Sequence, residues 1–148
     1  HRDSKKPLIL MSGESYPLIK YVKELPKSAH QLMKQYFPGA LTLVLEKSEL
    51  TPDYITSGMN TVGIRVPDNE IFVDICNAIP EQVLATTSAN LSSQPAALTY
   101  DEAIEYIGDA VDYVVPNYGL KANGTASTVA GIFEDNVKIF RQGDIYIK

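Results

Sequence analysis

Hydrophobic and polar positions follow one another in blocks that predict alternating strands and helices over the first two thirds of the chain. Short apolar runs that end at turn residues indicate buried strands, whereas apolar residues spaced three and four apart indicate amphipathic helices. Pro26 ends the first predicted helix, and Pro38 and Gly39 end the second. The predicted strands are PLILM (7–11), ALTLVLEK (40–47), TVGIRVP (61–67), a buried QVLATT (82–87) and YVVP (113–116), and the predicted helices span 16–26, 27–36, 69–79 and 98–109.

The last part of the chain has a different pattern. ASTVAGIF (126–133), NVKIFRQG (136–143) and IYIK (145–148) are strand-like runs joined by the turn residues EDN and QGD, which is typical of antiparallel hairpins. Strands that alternate with helices and then pair antiparallel predict an α/β domain with a mixed sheet. Because no repeat or linker-like segment interrupts the pattern, we predict a single domain over residues 1–148.

Composition and charge narrow the class of protein. With 148 residues, 45% of them hydrophobic, the chain is long enough to bury a core. The 13 Lys and Arg against 18 Asp and Glu give a formal net charge of -5, which argues against a protein that coats nucleic acid through bulk charge. Cys76 is the single cysteine, so no disulfide framework or zinc cluster is expected. Since no apolar run has membrane-spanning length, we predict a cytoplasmic protein with no membrane partner.

Several predicted strands end in side chains that bind anions. VLATTSAN ends in hydroxyls and an amide, TVGIRVP reaches Arg65, KIFRQG reaches Arg141, and Ser127 lies at a strand start in NGTASTV. In α/β sheets ligands bind beyond strand ends, where arginine supplies a fork of donors and hydroxyls complete an anion cradle. Binding of a phosphate or a carboxylate is therefore the first functional hypothesis.

Each of these features also has a purely structural explanation. A hydroxyl-rich segment after a strand, such as TSANLSS (87–93), is by itself more often a turn or a helix cap than a binding site. A lone arginine is more often a surface residue, FPGALT fits a helix stop followed by a strand, and Cys76 fits packing on an apolar helical face. The sequence contains no P-loop, no GxGxxG after a strand, no GxSxG and no HExxH.

Six motifs in a fixed order carry a resemblance that the single motifs do not. HRDSKKPLIL looks like the end of a KxR motif and the strand after it, FPGALTLVL is similar to a PGxxT strand, and VGIRVPDN to GxRxP. TTSANLSSQPA resembles TSANxSGxP, STVAGI resembles STVV/I, and IFRQGDI resembles a closing RxGxI. Over its whole length the chain thus resembles the YrdC-like family of threonylcarbamoyl-AMP synthases, which implies a twisted mixed sheet with flanking helices and a concave ligand-binding face.

The chain departs from the family pattern at three positions and at its start. Ser93 stands where the family usually has Gly, Gly131 where it has Asp, and Met11 where some members have a His that contacts threonine. Arg2 corresponds to the Arg of the KxR motif, and the family's preceding segment, with its first strand and the Lys of KxR, has no counterpart here. We therefore expect an N-terminally incomplete YrdC-like domain, and whether this stretch alone is active stays open.

The resemblance implies a nucleotidyltransferase activity and a set of substrate contacts. Family members condense L-threonine, bicarbonate or CO2, and ATP with its Mg2+ into threonylcarbamoyl-adenylate and pyrophosphate, and the proteins that use this product to modify tRNA are the implied partners. No catalytic side chain and no metal ligand is expected from the protein, because positioning and charge neutralisation suffice. By the resemblance, threonine contacts Arg65 and Ser127, and the nucleotide contacts Arg2, Ser88, Ala89, Asn90, Ser127 and Arg141.

Three other functions stay open. An RNA-binding module of the same fold would contact tRNA or other RNA directly without chemistry, although the net charge of -5 and the lack of interleaved aromatic and basic residues count against it. A related carbamoyl-adenylate-forming domain normally comes with zinc-finger-like and acylphosphatase neighbours, which this sequence lacks. A merely structural role is the third.

Overall fold

A computed structural model describes residues 6–90, 94–120 and 125–147. No helix in these ranges is long and apolar enough to cross a membrane. The elements in chain order are β1 (Ile9–Ser12), α1 (Tyr16–Ile19), α2 (Lys27–Tyr36), β2 (Leu41–Glu46), α3 (Asp53–Thr56), β3 (Thr61–Arg65), α4 (Glu70–Asn77), β4 (Val83–Thr86), α5 (Tyr100–Ile107) with a 3-10 turn at Gly108–Ala110, β5 (Thr128–Phe133) and β6 (Asn136–Arg141).

The six strands form one mixed sheet in the order β4-β1-β3-β2-β5-β6. β1 runs parallel to β3 and β2 runs parallel to β5, while the pairs β1–β4, β2–β3 and β5–β6 are antiparallel. The predicted α/β class with a mixed sheet is therefore confirmed.

The chain divides into two compact units. The larger unit comprises Lys5–Thr86 and Ala126–Lys148 and contains the whole sheet, and the smaller unit comprises His1–Ser4 and Thr87–Thr125 and contains α5. The single domain over residues 1–148 and the concave ligand-binding face stay predictions.

The core of the larger unit lies on one face of the sheet, because alternate residues of a strand point to opposite faces. Leu41, Leu43 and Leu45 of β2 are 0%, 0% and 1% exposed, as their alternation in the sequence predicts. Helix α2 is packed here through its apolar stripe. The cluster consists of Leu10, Leu18, Val22, Ala29, Leu32, Met33, Leu41, Leu43, Leu45, Ile55, Val62, Ile64, Val66, Ala130 and Ile132.

The first predicted helix is wrong beyond its first turn. Helix α1 ends at Ile19, and Val22 instead forms an isolated antiparallel bridge with Lys47. Val22 is buried all the same, so its apolar side chain is explained by a long-range strand contact that helical spacing cannot reveal. The helix predicted over 27–36, in contrast, is confirmed by α2 at the same bounds.

Three strand predictions are also wrong in part. β4, predicted as a buried strand, lies at the sheet edge and has no buried residue. The described residues 113–116 of YVVP are all exposed and form no strand. Residues 145–147 of IYIK form no strand either, because the Ile145 N–H and C=O both bond the Thr128 hydroxyl, at 3.2 and 2.8 Å, instead of a neighbouring backbone.

Candidate functional site

Arg65 ends strand β3, and a turn before β2 holds its side chain. The Gly39 N–H donates to Val66 O at 2.8 Å, which ties the Pro38–Gly39 turn to the end of β3. In return Arg65 Nε donates to Gly39 O at 2.9 Å, and the guanidinium is half-buried. Since this bond uses Nε, the terminal nitrogens of Arg65 are the donors that an anion could contact.

Ser127 precedes strand β5 and meets the start of the central strand β2. The Thr128 N–H donates to Ala40 O at 2.9 Å, so the two strand starts are joined through their backbones. The Ser127 and Thr42 hydroxyl oxygens lie 2.8 Å apart, and the two residues are 5% and 1% exposed. Both hydroxyls are therefore fixed in position.

Arg141 ends strand β6 and reaches back to the same serine. Its Nε donates to Ser127 O at 3.0 Å and its Nη2 donates to Ser127 Oγ at 3.1 Å. The segment after it packs tightly on the same backbone, because a Cβ at Gly143 would lie 2.4 Å from Ala126 O and 2.8 Å from Ser127 C. Only glycine fits this approach. Arg141 and Gly143 of the RQG motif thereby hold the backbone at the start of β5 in place.

Strand registers bring these side chains to one face of the sheet, at the edge where β3 and β6 end and β2 and β5 begin. Val129 of β5 pairs with Thr42 of β2 on one side and with Arg141 of β6 on the other. Arg65 directly follows the β3 residue that pairs with Leu43, which sets it opposite Thr42. Because paired residues point to the same face, this face is opposite to the one that carries the leucine core.

The two arginines make this edge electrostatically positive. Burial lowers the pKa of Arg65 below its ordinary value, and the nearby positive charge of Arg141 lowers the pKa further. A like charge beside a half-buried guanidinium is unfavourable unless an anion balances it. The edge is therefore suited to a carboxylate or a phosphate.

Ser88, Ala89 and Asn90 form a separate turn in the smaller unit. The Ser88 hydroxyl donates to Asn90 Oδ1, Asn90 Nδ2 donates to Gln94 O at 2.8 Å, and the Ala97 N–H donates to Ala89 O at 2.9 Å. The side chains of the TSAN motif thus stabilise their own turn, which is the structural explanation given above. They also bring a hydroxyl and an amide together.

The predicted site residues fall into two groups. Arg65, Ser127 and Arg141 lie together in the larger unit, whereas Ser88, Ala89 and Asn90 lie together in the smaller one. Arg2 and Ser93 lie outside the described residues. The ligands assigned to all these positions stay predictions.

Thr42 and Gly143 complete this edge, although no role was predicted for either residue. Both belong to quoted motifs, the T of FPGALT and the G of RQGDI, so a signal was present without a geometric interpretation. Gly131, where the family has Asp, lies inside β5 and not in a turn. A Cβ there would lie 2.4 Å from Phe140 Cε2 and 2.7 Å from Phe133 Cε2, so the glycine leaves room for this edge-to-face ring pair.

Metal-binding side chains do not cluster in the described part of the chain. No three His, Cys, Asp or Glu residues there are grouped so as to hold an ion. Cys76, predicted as a packing residue, is fully buried, and burial raises the pKa of its thiol while a backbone hydrogen bond with Gly13 opposes this rise. Its neutral form suits a packing role.

The fold and this edge define an α/β protein with a cluster of arginines and hydroxyls at one edge of its mixed sheet. The model of the Sua5, YciO and YrdC family, described as telomere recombination, matches residues 1–143. The chain belongs to this family, as the six motifs predicted.

Two named relatives give further evidence that the chain belongs to this family. The chain is 33% identical over 144 residues to the threonylcarbamoyl-AMP synthase of Pyrococcus abyssi, which is 97% of this chain and 42% of the relative. It is 31% identical over 115 residues to the enzyme of the same name from Halorhodospira halophila, covering 78% of this chain and 60% of the relative. The chain thus spans less than two thirds of either protein.

Solved structures agree with the fold. The structure of P. abyssi Sua5 complexed with L-threonine matches with a TM-score of 0.87 and 33% identity over 96% of this chain and 41% of that one. Escherichia coli YciO matches with a TM-score of 0.80 over 97% of this chain and 68% of that one. At 24% identity the YciO match concerns the fold alone, which is the one predicted from the family resemblance.

Proposed function

We propose that the protein containing this chain is an L-threonylcarbamoyladenylate synthase, a nucleotidyltransferase that uses L-threonine, bicarbonate or CO2, and ATP. The observation that carries the proposal is the cluster of Arg65, Ser127 and Arg141 at one sheet edge. It occurs in a chain that is 33% identical to a threonylcarbamoyl-AMP synthase and similar to a Sua5 structure that binds L-threonine.

The reaction needs positioned charges more than a reactive side chain. Threonine nitrogen first takes up CO2 to give a carbamate and releases a proton. A carbamate oxygen then forms a bond to the α-phosphorus of ATP, the bond between the α-phosphorus and the bridging oxygen breaks, and pyrophosphate leaves. Both reactants are anions, so the protein must hold them close together against their mutual repulsion.

The residues of the larger unit suit this task. Arg65 is half-buried and fixed by Gly39, which fits a guanidinium that binds the threonine carboxylate at a defined place. Arg141 is exposed and fits the more open nucleotide side, and Ser127 would contribute its hydroxyl between the two ligands.

The remaining charge lies on the ATP phosphates. The Ser88 hydroxyl would turn from Asn90 Oδ1 to donate to a phosphate oxygen, and Asn90 Nδ2, which has a second N–H, would donate alongside it. The backbone of Ala89 would contact the same phosphate groups, and Arg2 would approach them. Mg2+ would enter bound to ATP, sharing the phosphate charge as part of the substrate. The product is an activated mixed anhydride, and an enzyme that transfers threonylcarbamoyl to tRNA would consume it.

Pyrophosphate release by the longest natural form of the protein tests this function. Release from ATP is expected only when threonine, bicarbonate and Mg2+ are all present, and omission of any one should return it to background. RNA binding with a steep salt dependence, and no pyrophosphate release under any condition, would instead favour the RNA-binding alternative.

A further inference from the structure

The hydroxyl of Ser127 has two protein partners, Arg141 and Thr42. Arg141 Nη2 donates to Ser127 Oγ at 3.1 Å, and Thr42 Oγ1 lies 2.8 Å from the same oxygen. Thr42 is 1% exposed and Ser127 is 5% exposed, so water has little access to the hydrogen bond between their hydroxyls. Which of the two hydroxyls donates to the other is therefore determined by the surrounding protein groups and by a bound ligand, and not by water.

The direction of this hydrogen bond determines which atom of Ser127 a ligand meets. A serine hydroxyl has one proton and two lone pairs, and an arginine can only donate, so Arg141 occupies one lone pair of Ser127. If Thr42 donates to the second lone pair, the Ser127 proton is available to a ligand. If Ser127 instead donates to Thr42, the ligand meets only a lone pair.

A carboxylate or phosphate oxygen is purely an acceptor and is compatible only with the first arrangement. An anion that contacts the Ser127 hydroxyl therefore requires Thr42 to be the donor in the Thr42–Ser127 hydrogen bond. Threonine holds its Oγ1 at a defined place, because its branched Cβ restricts rotation about χ1 and β2 is a central strand held between β3 and β5.

We propose that Thr42 is a positioning residue that donates its hydroxyl proton to Ser127 and so makes Ser127 a donor to the anionic substrate. This inference rests on the proposed function, because it assigns an anion to the site. Thr42 itself does not touch the substrate. It acts on the orientation of a Ser127 hydroxyl whose backbone is already fixed by Arg141 and Gly143.

Steady-state kinetics of Thr42→Val in the longest natural form of the protein test the proposal. Valine keeps the shape and removes the donor, so kcat/KM for threonine is expected to fall about tenfold, the usual effect of one hydrogen bond to a charged group. Thr42→Ser restores the donor and should recover most of this loss.

Thr51→Val is the matched control. Thr51 is also a buried threonine of the larger unit, at 4% exposure, and its hydroxyl donates to Tyr21 O at 2.6 Å. Both valine variants lose one buried hydrogen bond and should lower the melting temperature by similar amounts, but Thr51→Val should leave kcat/KM unchanged. Equal kinetic constants for the two variants would overturn the proposal.

A double-mutant cycle with Ser127→Ala separates positioning from general damage to the fold. If Thr42 acts only through the Ser127 hydroxyl, Thr42→Val should have no kinetic effect in the Ser127→Ala background. Additive losses would overturn the proposal. If Thr42→Val does not fold, the cycle is run with Thr42→Ala under the same two criteria.

The outcome also distinguishes this inference from the proposed function. Absence of threonine-dependent pyrophosphate release by the unmodified protein would end both. Normal turnover by the unmodified protein, together with Thr42→Val kinetics equal to those of Thr51→Val, would end only the role of Thr42.

Discussion

Arg65 and Arg141 carry the same charged group but are held in different ways. Arg65 is half-buried with its Nε bonded to Gly39 O, whereas Arg141 is exposed and bonded to the backbone and hydroxyl of Ser127. A fixed, partly desolvated guanidinium recognises a small carboxylate through a stronger interaction than an exposed one. This difference in setting is compatible with the assignment of the two arginines to different substrates, which the family resemblance implies and which stays a prediction.

Replacing each arginine should affect a different substrate. Arg65→Ala is expected to raise KM for threonine at least about tenfold, because a hydrogen-bonded charge pair is lost, and to change KM for ATP much less. Arg141→Ala should have its larger effect on ATP and serves as the reciprocal control. Equal effects of Arg65→Ala on the two Michaelis constants would contradict the assignment.

The turn of the TSAN motif should bind nucleotide phosphate. Ser88→Ala and Asn90→Ala are each expected to weaken ATP binding about tenfold in calorimetric titration, because each removes a hydrogen-bond partner of a charged oxygen. Asn117→Ala is a control, since Asn117 also stabilises a turn of the smaller unit, accepting from the Gly119 N–H at 3.1 Å. Unchanged ATP affinity in the Ser88 and Asn90 variants would remove the phosphate role.

Strand β5 depends on two close approaches that a side chain would block. Gly131 accommodates aromatic rings of exposed residues, which can shift, whereas Gly143 lies against the backbone of residues 126–128, which cannot. The second contact is therefore the more sensitive one, and it lies directly behind Ser127.

Gly143→Ala should destabilise the protein and disturb the site together. Its Cβ would meet backbone atoms at 2.4 to 2.8 Å, an overlap that typically costs about 1–3 kcal/mol of unfolding free energy. Gly63→Ala is the control, because its Cβ would have ordinary contacts at 3.4 Å or more. Denaturant unfolding checks the difference, and equal midpoints for the two variants would contradict the packing argument.

The β5–β6 hairpin also caps helix α2. Asp135, in the hairpin turn at φ 65, accepts at Oδ1 from the Ser28 N–H at 2.9 Å and from the Ser28 hydroxyl at 2.6 Å. The Ser28 side-chain bond, then its backbone bond, lowers the pKa of Asp135, with a smaller effect of Lys27 and partial opposition from desolvation. A carboxylate at a helix N-terminus is a favourable interaction.

This cap should make stability depend on pH in the acid range. Because the pKa of Asp135 is lower in the folded state, the carboxylate contributes stability above its unfolded pKa and loses it as pH falls through the folded pKa. Asp135→Asn keeps an acceptor oxygen but does not titrate. Melting temperatures of the two proteins should differ at neutral pH and converge at acid pH, and a constant difference would contradict the cap.

Across the whole molecule, the elements predicted correctly are those whose pattern depends on residues close together in the sequence. Helix α2 has a regular apolar stripe and proline and glycine just after it, and strand β2 has strict alternation, so both were predictable from local pattern. The bridge of Val22 to Lys47, and the hydrogen bonds of Ile145 to Thr128 in place of a predicted strand, depend on residues that are distant in sequence. Local pattern contains no information on these.

The candidate site follows the same division. Arg65, Ser127 and Arg141 were named from their motifs, but their meeting at one edge requires the strand order β3-β2-β5-β6. Thr42 was missed because its role depends on this order, which puts it next to a serine that follows 85 residues later. Thr42 belongs to a motif of the family, but only the register of β2 and β5 shows that its hydroxyl contacts Ser127.

Formation of threonylcarbamoyl-adenylate from isotopically labelled bicarbonate, followed by mass spectrometry, tests the central claim most directly. The longest natural form of the protein, given ATP, Mg2+ and threonine, should yield an adenylate that carries both the label and the threonyl group, and Arg65→Ala should yield far less at limiting threonine. Conversion of ATP without any labelled adenylate, or labelled product that does not depend on threonine, would contradict the account.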